Sequence, residues 1–268
     1  MKKQNLLLLL LSFCISNIYA QNLTGPKLTA MGNTGAAVND IWSIEANIAG
    51  ITNLSSPTIA LNYINYHFNN EISTQALVFI LPLNKNYLGL SIQRYGITEY
   101  NEIKAGFAFA KKFGTNLSIA IKGNYHQIKI NNYGTTTGFS ADVGVMYNLN
   151  KQLTFGLYIN NPAHQKYTTN TVKNNIPSTI SMGASYHASN KILIAASINK
   201  QFDNKFDVGF GIDYKLLEII SLRGGLTMKP FKQYVGIGLN HKKFNVDLAI
   251  ENDPNLGYSP QIALAYAF

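Results

Sequence analysis

Ser185 and His187 stand two residues apart in an alternating run, so in a strand they share one face. A serine beside a histidine is the start of a hydrolytic nucleophile. The histidine must also lie within hydrogen-bond reach and be oriented by a third group, and no such group is spaced with this pair. The five histidines, His67, His126, His164, His187 and His241, fall near expected strand ends or in loops and read as rim residues in water. None is spaced with Asp or Glu as a zinc site requires. No Gly-Lys-Thr loop offers a nucleotide seat, and the glycines at 32–35 do not follow a strand and open a long helix. The single cysteine, Cys14, lies within the first twenty residues. The expectation is a protein that is not an enzyme, with no catalytic residue, metal or cofactor.

The elements that hold these residues are strands. Of 268 residues 46% are hydrophobic and 12% aromatic, with 16 Tyr and 14 Phe, while only 13% are charged. A soluble domain carries about 25% charge, so the surface here is unusually apolar. Disorder is excluded by the same figures. The longest apolar run, Leu6–Ile15, is too short for a helical span of about 20 residues. Preceded by Lys2 and Lys3 and followed by Ile18-Tyr19-Ala20, it reads as a signal peptide over 1–20. A lipoprotein reading of Leu11-Ser12-Phe13-Cys14 is disfavoured by the bulk of Phe13. Without the two signal lysines there are 20 basic and 13 acidic residues, a net charge of +7. No basic run or basic helix accompanies it, so nucleic acid is not an expected partner.

From about residue 57 the apolar period is two. Phe206, Val208, Phe210, Ile212 and Tyr214 alternate with Asp207, Gly209, Gly211, Asp213 and Lys215, and Phe244–Glu251 repeats the pattern. Segmentation at the polar turns places strands near 57–68, 71–83, 86–95, 100–111, 117–130, 137–148, 153–160, 177–187, 191–201, 205–215, 219–228, 233–241, 243–251 and 258–268. Most have the 9–12 residues of a tilted membrane crossing, against about 5–6 in soluble sheets. An even count of fourteen favours a transmembrane antiparallel β-barrel, all-β, over a sandwich. With the N-terminal segment starting in the periplasm, the short connections fall on that side and the longest, 161–176, falls outside. Tyr87, Tyr147, Tyr186, Tyr214 and Phe244 then suggest one aromatic girdle, and Tyr95, Tyr100, Tyr125, Tyr158 and Tyr167 the other. The chain ends in Phe268, as do barrels delivered to the outer membrane. The expected location is the cell outer membrane, with its lipid and lipopolysaccharide as partners.

Residues 21–56 lack strict alternation and hold the only Trp. A segment before the first strand can plug the lumen or cap its periplasmic mouth. It carries Ala30-Met31-Gly32-Asn33-Thr34-Gly35-Ala36-Ala37, then Asp40 and Asn47-Ile48-Ala49-Gly50. This stretch resembles the opening of the FadL-like outer-membrane barrel superfamily, most closely its PorV/PorQ branch in Bacteroidetes, with Ile48 where that family usually has Pro. The resemblance implies a fourteen-stranded barrel with a lumenal N-terminal segment, and Met31, Gly32, Gly35, Asp40, Asn47, Ala49 and Gly50 as its motif. It also implies two lines of work. One is an accessory or docking barrel in a larger outer-membrane protein complex, such as type IX secretion. The other is a passive channel for hydrophobic compounds.

Lumen-side parity collects Glu102, Lys104, Lys122, Asp142, Asp207, Asp213, Arg223, Asp247 and Glu251. These charges fit a selective channel, a polar seat for the plug, or cross-strand pairs in a small lumen. The second strand is apolar on both faces. Leu77, Phe79 and Leu81 are the expected lumenal patch, as a ligand entry or as packing against the N-terminal segment, with Leu61, Tyr63 and Ile64 as the neighbouring wall. In the fifth strand the apolar parity flips after Tyr125, which suggests a bulge or a ladder reaching beyond the membrane.

Overall fold

In the computed structural model the described residues are 24–69, 71–168, 175–202 and 206–268. The expected signal peptide, with Cys14, lies outside them. Fourteen strands follow in chain order: β1 Thr58–Asn65, β2 Ser73–Leu83, β3 Asn86–Gly96, β4 Tyr100–Phe113, β5 Leu117–Ile130, β6 Gly134–Asn148, β7 Leu153–Asn160, β8 Thr179–Ser189, β9 Ile192–Gln201, β10 Phe206–Lys215, β11 Ile220–Met228, β12 Phe231–His241, β13 Phe244–Asp253 and β14 Gly257–Ala267. Each pairs antiparallel with the next, and β1 closes on β14 from Thr58↔Ala267 to Ile64↔Gln261. Closure removes every sheet edge, which a backbone surrounded by lipid requires.

Alternation decides which side chains meet lipid. On β4 Phe107 and Phe109 face out, while Gly106, Ala108 and Ala110 are buried inside. Leu90, Ile121, Phe139, Ile198, Val235 and Leu248 belong to the same outward belt. Small and polar residues take the inner face, as they do in membrane barrels. Positive φ at Asn84, Gly114 and Lys242 lets three connections turn tightly at one end. That end, called here the short-turn end, also holds 149–152, 190–191 and 216–219.

Three expectations need correction. The β5–β6 ladder runs unshifted from Leu117↔Tyr147 to Ile130↔Gly134, so no bulge follows Tyr125. Ile128 is simply an inward, buried residue of a long ladder. Tyr147, Tyr186, Tyr214 and Phe244 do face outward at the short-turn end, but Tyr87 is buried on the inner parity. At the other end Tyr158 points inward and is buried, and Tyr95 shares the inward parity of Ser91. Tyr100 shares the inward parity of Gly106. Tyr125 faces outward as expected, against exposed Phe139, and further outward aromatics there include Phe202, Phe206, Phe231 and Tyr258. Height along a strand does not fix the face; parity does.

Among the described residues before β1, 24–57, there is no strand. Helix α1, Pro26–Ala30, is followed by 3-10 turns at Gly35–Ala37, Ile41–Ile44 and Ile48–Asn53. Together they contact strands from β2 and β3 through β7–β9 to β11–β14. A segment touching opposite walls of a closed barrel lies inside it. Leu28, Met31, Val38, Trp42, Ile44, Ile48 and Ile51 are buried there and form one apolar cluster with Val78, Ile80, Ala108, Ala110 and Ala120 of the wall.

Candidate functional site: the lumen and its N-terminal segment

The lumenal segment is held by its own motif. Asp40 caps the turn Ile41–Ile44: its Oδ1 accepts from the Trp42 N–H at 2.9 Å, and Ser43 Oγ accepts from the Asp40 N–H at 3.0 Å. Asn47 is buried and caps the next turn, accepting from the Ala49 N–H at 3.2 Å. Its Nδ2 donates to the carbonyls of Ala36 at 2.6 Å and of Val145 on β6 at 3.1 Å. Ile48 therefore needs no proline ring: the turn is fixed by the Asn47 amide and by full burial of Ile48. Met31, Ala49 and Gly50 are buried too.

Glycine decides how closely segment and wall approach. Gly32 has φ +67, and a Cβ there would stand 2.6 Å from the Phe210 carbonyl oxygen. Across the interface, a Cβ at Gly156 would overlap the Ala36 carbonyl oxygen, and one at Gly211 would overlap that of Met31. Gly35 and Gly50 make room within the segment, against Ala46 and Ser43. The motif is a set of close-packing and capping residues.

The lumenal charges are sorted by partner. Glu45, which no pattern in the sequence singles out, is buried at the end of the 3-10 turn and receives Lys122 Nζ as well as Lys104 Nζ, the latter at 3.0 Å. Lys122 is fully buried, donates also to the Ile44 carbonyl at 3.1 Å, and fits only because Gly106 has no side chain. Burial alone would raise the Glu45 pKa; the two ammoniums more than offset this and hold it down to about 2. Asp142, also buried, accepts from Asn124 Nδ2 at 2.8 Å, the Tyr158 hydroxyl at 2.9 Å and the Asn161 N–H at 3.1 Å. Arg223 binds Asp213 at 3.3 Å and Asp247 across β10–β13. Glu102 accepts from the Tyr100 hydroxyl. Lys104 and Lys122 thus form a seat for the segment, while Arg223 belongs to a wall-to-wall cluster.

The apolar patch lies on the other face from the one expected. Leu77 is 37% exposed on the outside, and Phe79 and Leu81 share its parity. Leu61 and Tyr63 also face out. The inward residues are Ala76, Val78 and Ile80, with Ile64 on β1. Both sets are apolar, so alternation alone has no sign; contact with Ile44 of the segment supplies it.

Ser185 and His187 do share a face, but Ser185 Oγ donates to the Ala37 carbonyl at 2.8 Å. The serine is another tie to the segment. Ser185→Ala is expected to weaken seating by about 1 kcal/mol, seen as a small fall in the unfolding midpoint, and to leave esterase background unchanged. A hydrolytic activity lost in this variant would contradict that role. His126 is not a rim residue: it is buried, with Nε2 2.8 Å from Ser140 Oγ and Tyr167 edge-on to its ring. Among the described residues no group of three or more His, Cys, Asp or Glu could hold a metal.

The long connection after β7 lies at the expected end; residues 162–166 are exposed, while its two ends turn inward. Asn161 Nδ2 donates to the Ile176 carbonyl at 2.9 Å, and Ser178 Oγ donates to that of Asn161 at 2.9 Å. Ile176 is buried against Gly138 of β6. At the short-turn end two polar concavities of about 750 and 520 Å³ share Asn150, Lys151 and His187; Asn39 and Asn53 of the segment line the second.

No family model matches the sequence and no curated protein is similar to it. Solved structures are similar. One titled CymD monoaromatic hydrocarbon channel matches with a TM-score of 0.71 and 13% identity, over 93% of this chain and 99% of the other. The Pseudomonas putida toluene transporter TodX matches at 0.69 and 11%, over 93% and 98%. A Pseudomonas aeruginosa FadL homologue matches at 0.64 and 10%, over 91% and 98%. The chain has the barrel fold of these FadL-like channel proteins, shared over nearly its whole length.

Proposed function

We propose that the protein is an outer-membrane route for small hydrophobic compounds, with residues 24–56 as the constriction in its lumen. The observation that carries this reading is the apolar seam between segment and wall. Trp42, Ile44, Ile48 and Ile51 meet Val78, Ile80, Ala108 and Ala120, and Ile44, Ile80 and Ala108 converge over Gly89. A small apolar molecule passing along this seam would exchange one set of dispersion contacts for another without stripping polar groups of their partners. The shared fold of barrels titled as hydrocarbon channels supports it.

In proteoliposomes the barrel is expected to pass toluene well above the protein-free rate and to exclude a hexose. Toluene entry at the protein-free rate would overturn the reading. An accessory barrel of a PorV/PorQ-like secretion complex is the second reading, resting on one observation: a lumen filled by its own chain suits a docking surface. Stable co-purification with a larger outer-membrane protein, together with no toluene entry, would select it.

A further inference from the structure

Charge is distributed unevenly between the two ends of the barrel. The short-turn end, with the strand ends that flank it, carries Lys85, Lys111, Lys112, Lys151, Lys191, Lys215, Lys242 and Lys243. Its acids are all paired: Glu218 with Lys215 at 2.6 Å, Asp213 and Asp247 inward with Arg223, and Asp40 of the segment with Lys27 at 3.5 Å. Lys85, Lys111, Lys151, Lys191, Lys242 and Lys243 are exposed. The other end is mixed, with Glu71, Glu99, Glu251 and Asp253 among Arg94, Lys129, Lys166 and Lys232.

The lysines also keep particular company. Leu83 stands beside Lys85, Phe113 beside Lys111, Leu149 beside Lys151, Leu216 and Leu217 beside Lys215, and Phe244 beside Lys243, all of these apolar side chains exposed. Lys111 Nζ lies 5.4 Å from the centre of the Phe113 ring, and Lys243 Nζ 5.9 Å from that of Tyr266. An ammonium on a stem that runs along an apolar wall, level with an aromatic girdle, sits at the depth of lipid phosphates. From this pairing of a nearly single-signed rim with an apolar flank, we propose that the short-turn end is a collar for the anionic headgroups of the phospholipid leaflet around it. An acidic protein would meet the turn tips, and would give no reason for the apolar neighbours of Lys85, Lys111, Lys151, Lys215 and Lys243. The proposal is independent of what crosses the lumen.

The test is lipid retention by the full barrel, extracted from bilayers of mixed phosphatidylglycerol and phosphatidylcholine and weighed by native mass spectrometry. Phosphatidylglycerol is expected to be enriched at least about fivefold over its share of the bilayer, and less so as salt rises. The combined variant K85Q, K111Q, K151Q, K191Q, K242Q and K243Q should retain the two lipids in bilayer proportion, while the same six positions changed to arginine should keep the enrichment. Replacing Lys129 and Lys166 by glutamine, at the other end, should change nothing. No enrichment by the native chain would overturn the collar. So would enrichment that salt leaves untouched, or that the other-end variant removes equally. Should the six-glutamine chain fail to form a barrel, the salt series and the arginine variant decide.

Discussion

Replacing Glu45 with alanine is expected to loosen the lumenal segment by about 3–5 kcal/mol, the cost of leaving a buried charge without its partner. Lys122 is fully buried and Lys104 mostly so, and Glu45 is the carboxylate that both ammoniums touch. Trp42, three residues away and the only tryptophan in the chain, reports the change. Its emission should shift to the red, and trypsin should gain access to Lys27. Adding Lys122→Met to Glu45→Ala should recover part of the loss, because an apolar side chain of similar length needs no counter-charge. Unchanged emission and protection in the single variant would show that the seat does not hold the segment. The pH dependence has a definite sign. With its folded pKa depressed from 4.5 to about 2, Glu45 contributes stability that is complete above about pH 4.5 and is lost as pH falls toward 2. Acid is expected to mimic the variant.

How much of this is legible in the sequence follows from which contacts are local. All fourteen strands can be read from it, because alternation and turn residues act within ten positions of one another. Parity with small neighbours assigns Lys104, Lys122, Asp142 and Arg223 to the inner face, and the structure has them there. The same reasoning sends Leu77, Phe79 and Leu81 to the wrong side because their strand is apolar on both faces. The inner identity of Val78 and Ile80 is set by Ile44, about 35 residues earlier in the chain. Glu45 is invisible for the same reason: a lone carboxylate gives no sign of two lysines that lie 59 and 77 residues away. One signal is available. Glycine weakens a strand interior and persists where another backbone approaches closely. Of the glycines on inward parity, those at 89, 144, 156, 183, 209, 211, 225 and 236 each face an atom of residues 30–48, whereas Gly106, Gly138 and Gly238 make room for Lys122, Ile176 and Arg223. Read as a trail, the former trace the path of the segment around the barrel.

That trail gives the strongest test of the seated segment. Valine at Gly156 would place its Cβ where it overlaps the Ala36 carbonyl oxygen and stands 3.0 Å from the Ala37 Cα. Neither is a flexible side-chain end, so the segment backbone must leave that part of the wall; Ser185, whose hydroxyl binds Ala37, would lose its partner as well. Overpacking of this kind costs about 1–3 kcal/mol and more when only backbone can yield. The β6–β7 and β7–β8 ladders make no use of the Gly156 inner face, so the barrel itself should still close and keep its heat-dependent shift on a denaturing gel. Gly123 supplies the control: it is also in a strand interior, and a Cβ there would meet no atom within 4 Å, so Gly123→Val should leave segment and barrel as they are. If residues 24–56 are the constriction, Gly156→Val should raise toluene entry several-fold, and Gly123→Val should not. A closed barrel with Trp42 still buried and entry unchanged in Gly156→Val would mean that the contact at Ala36 is dispensable and that passage is controlled elsewhere in the lumen.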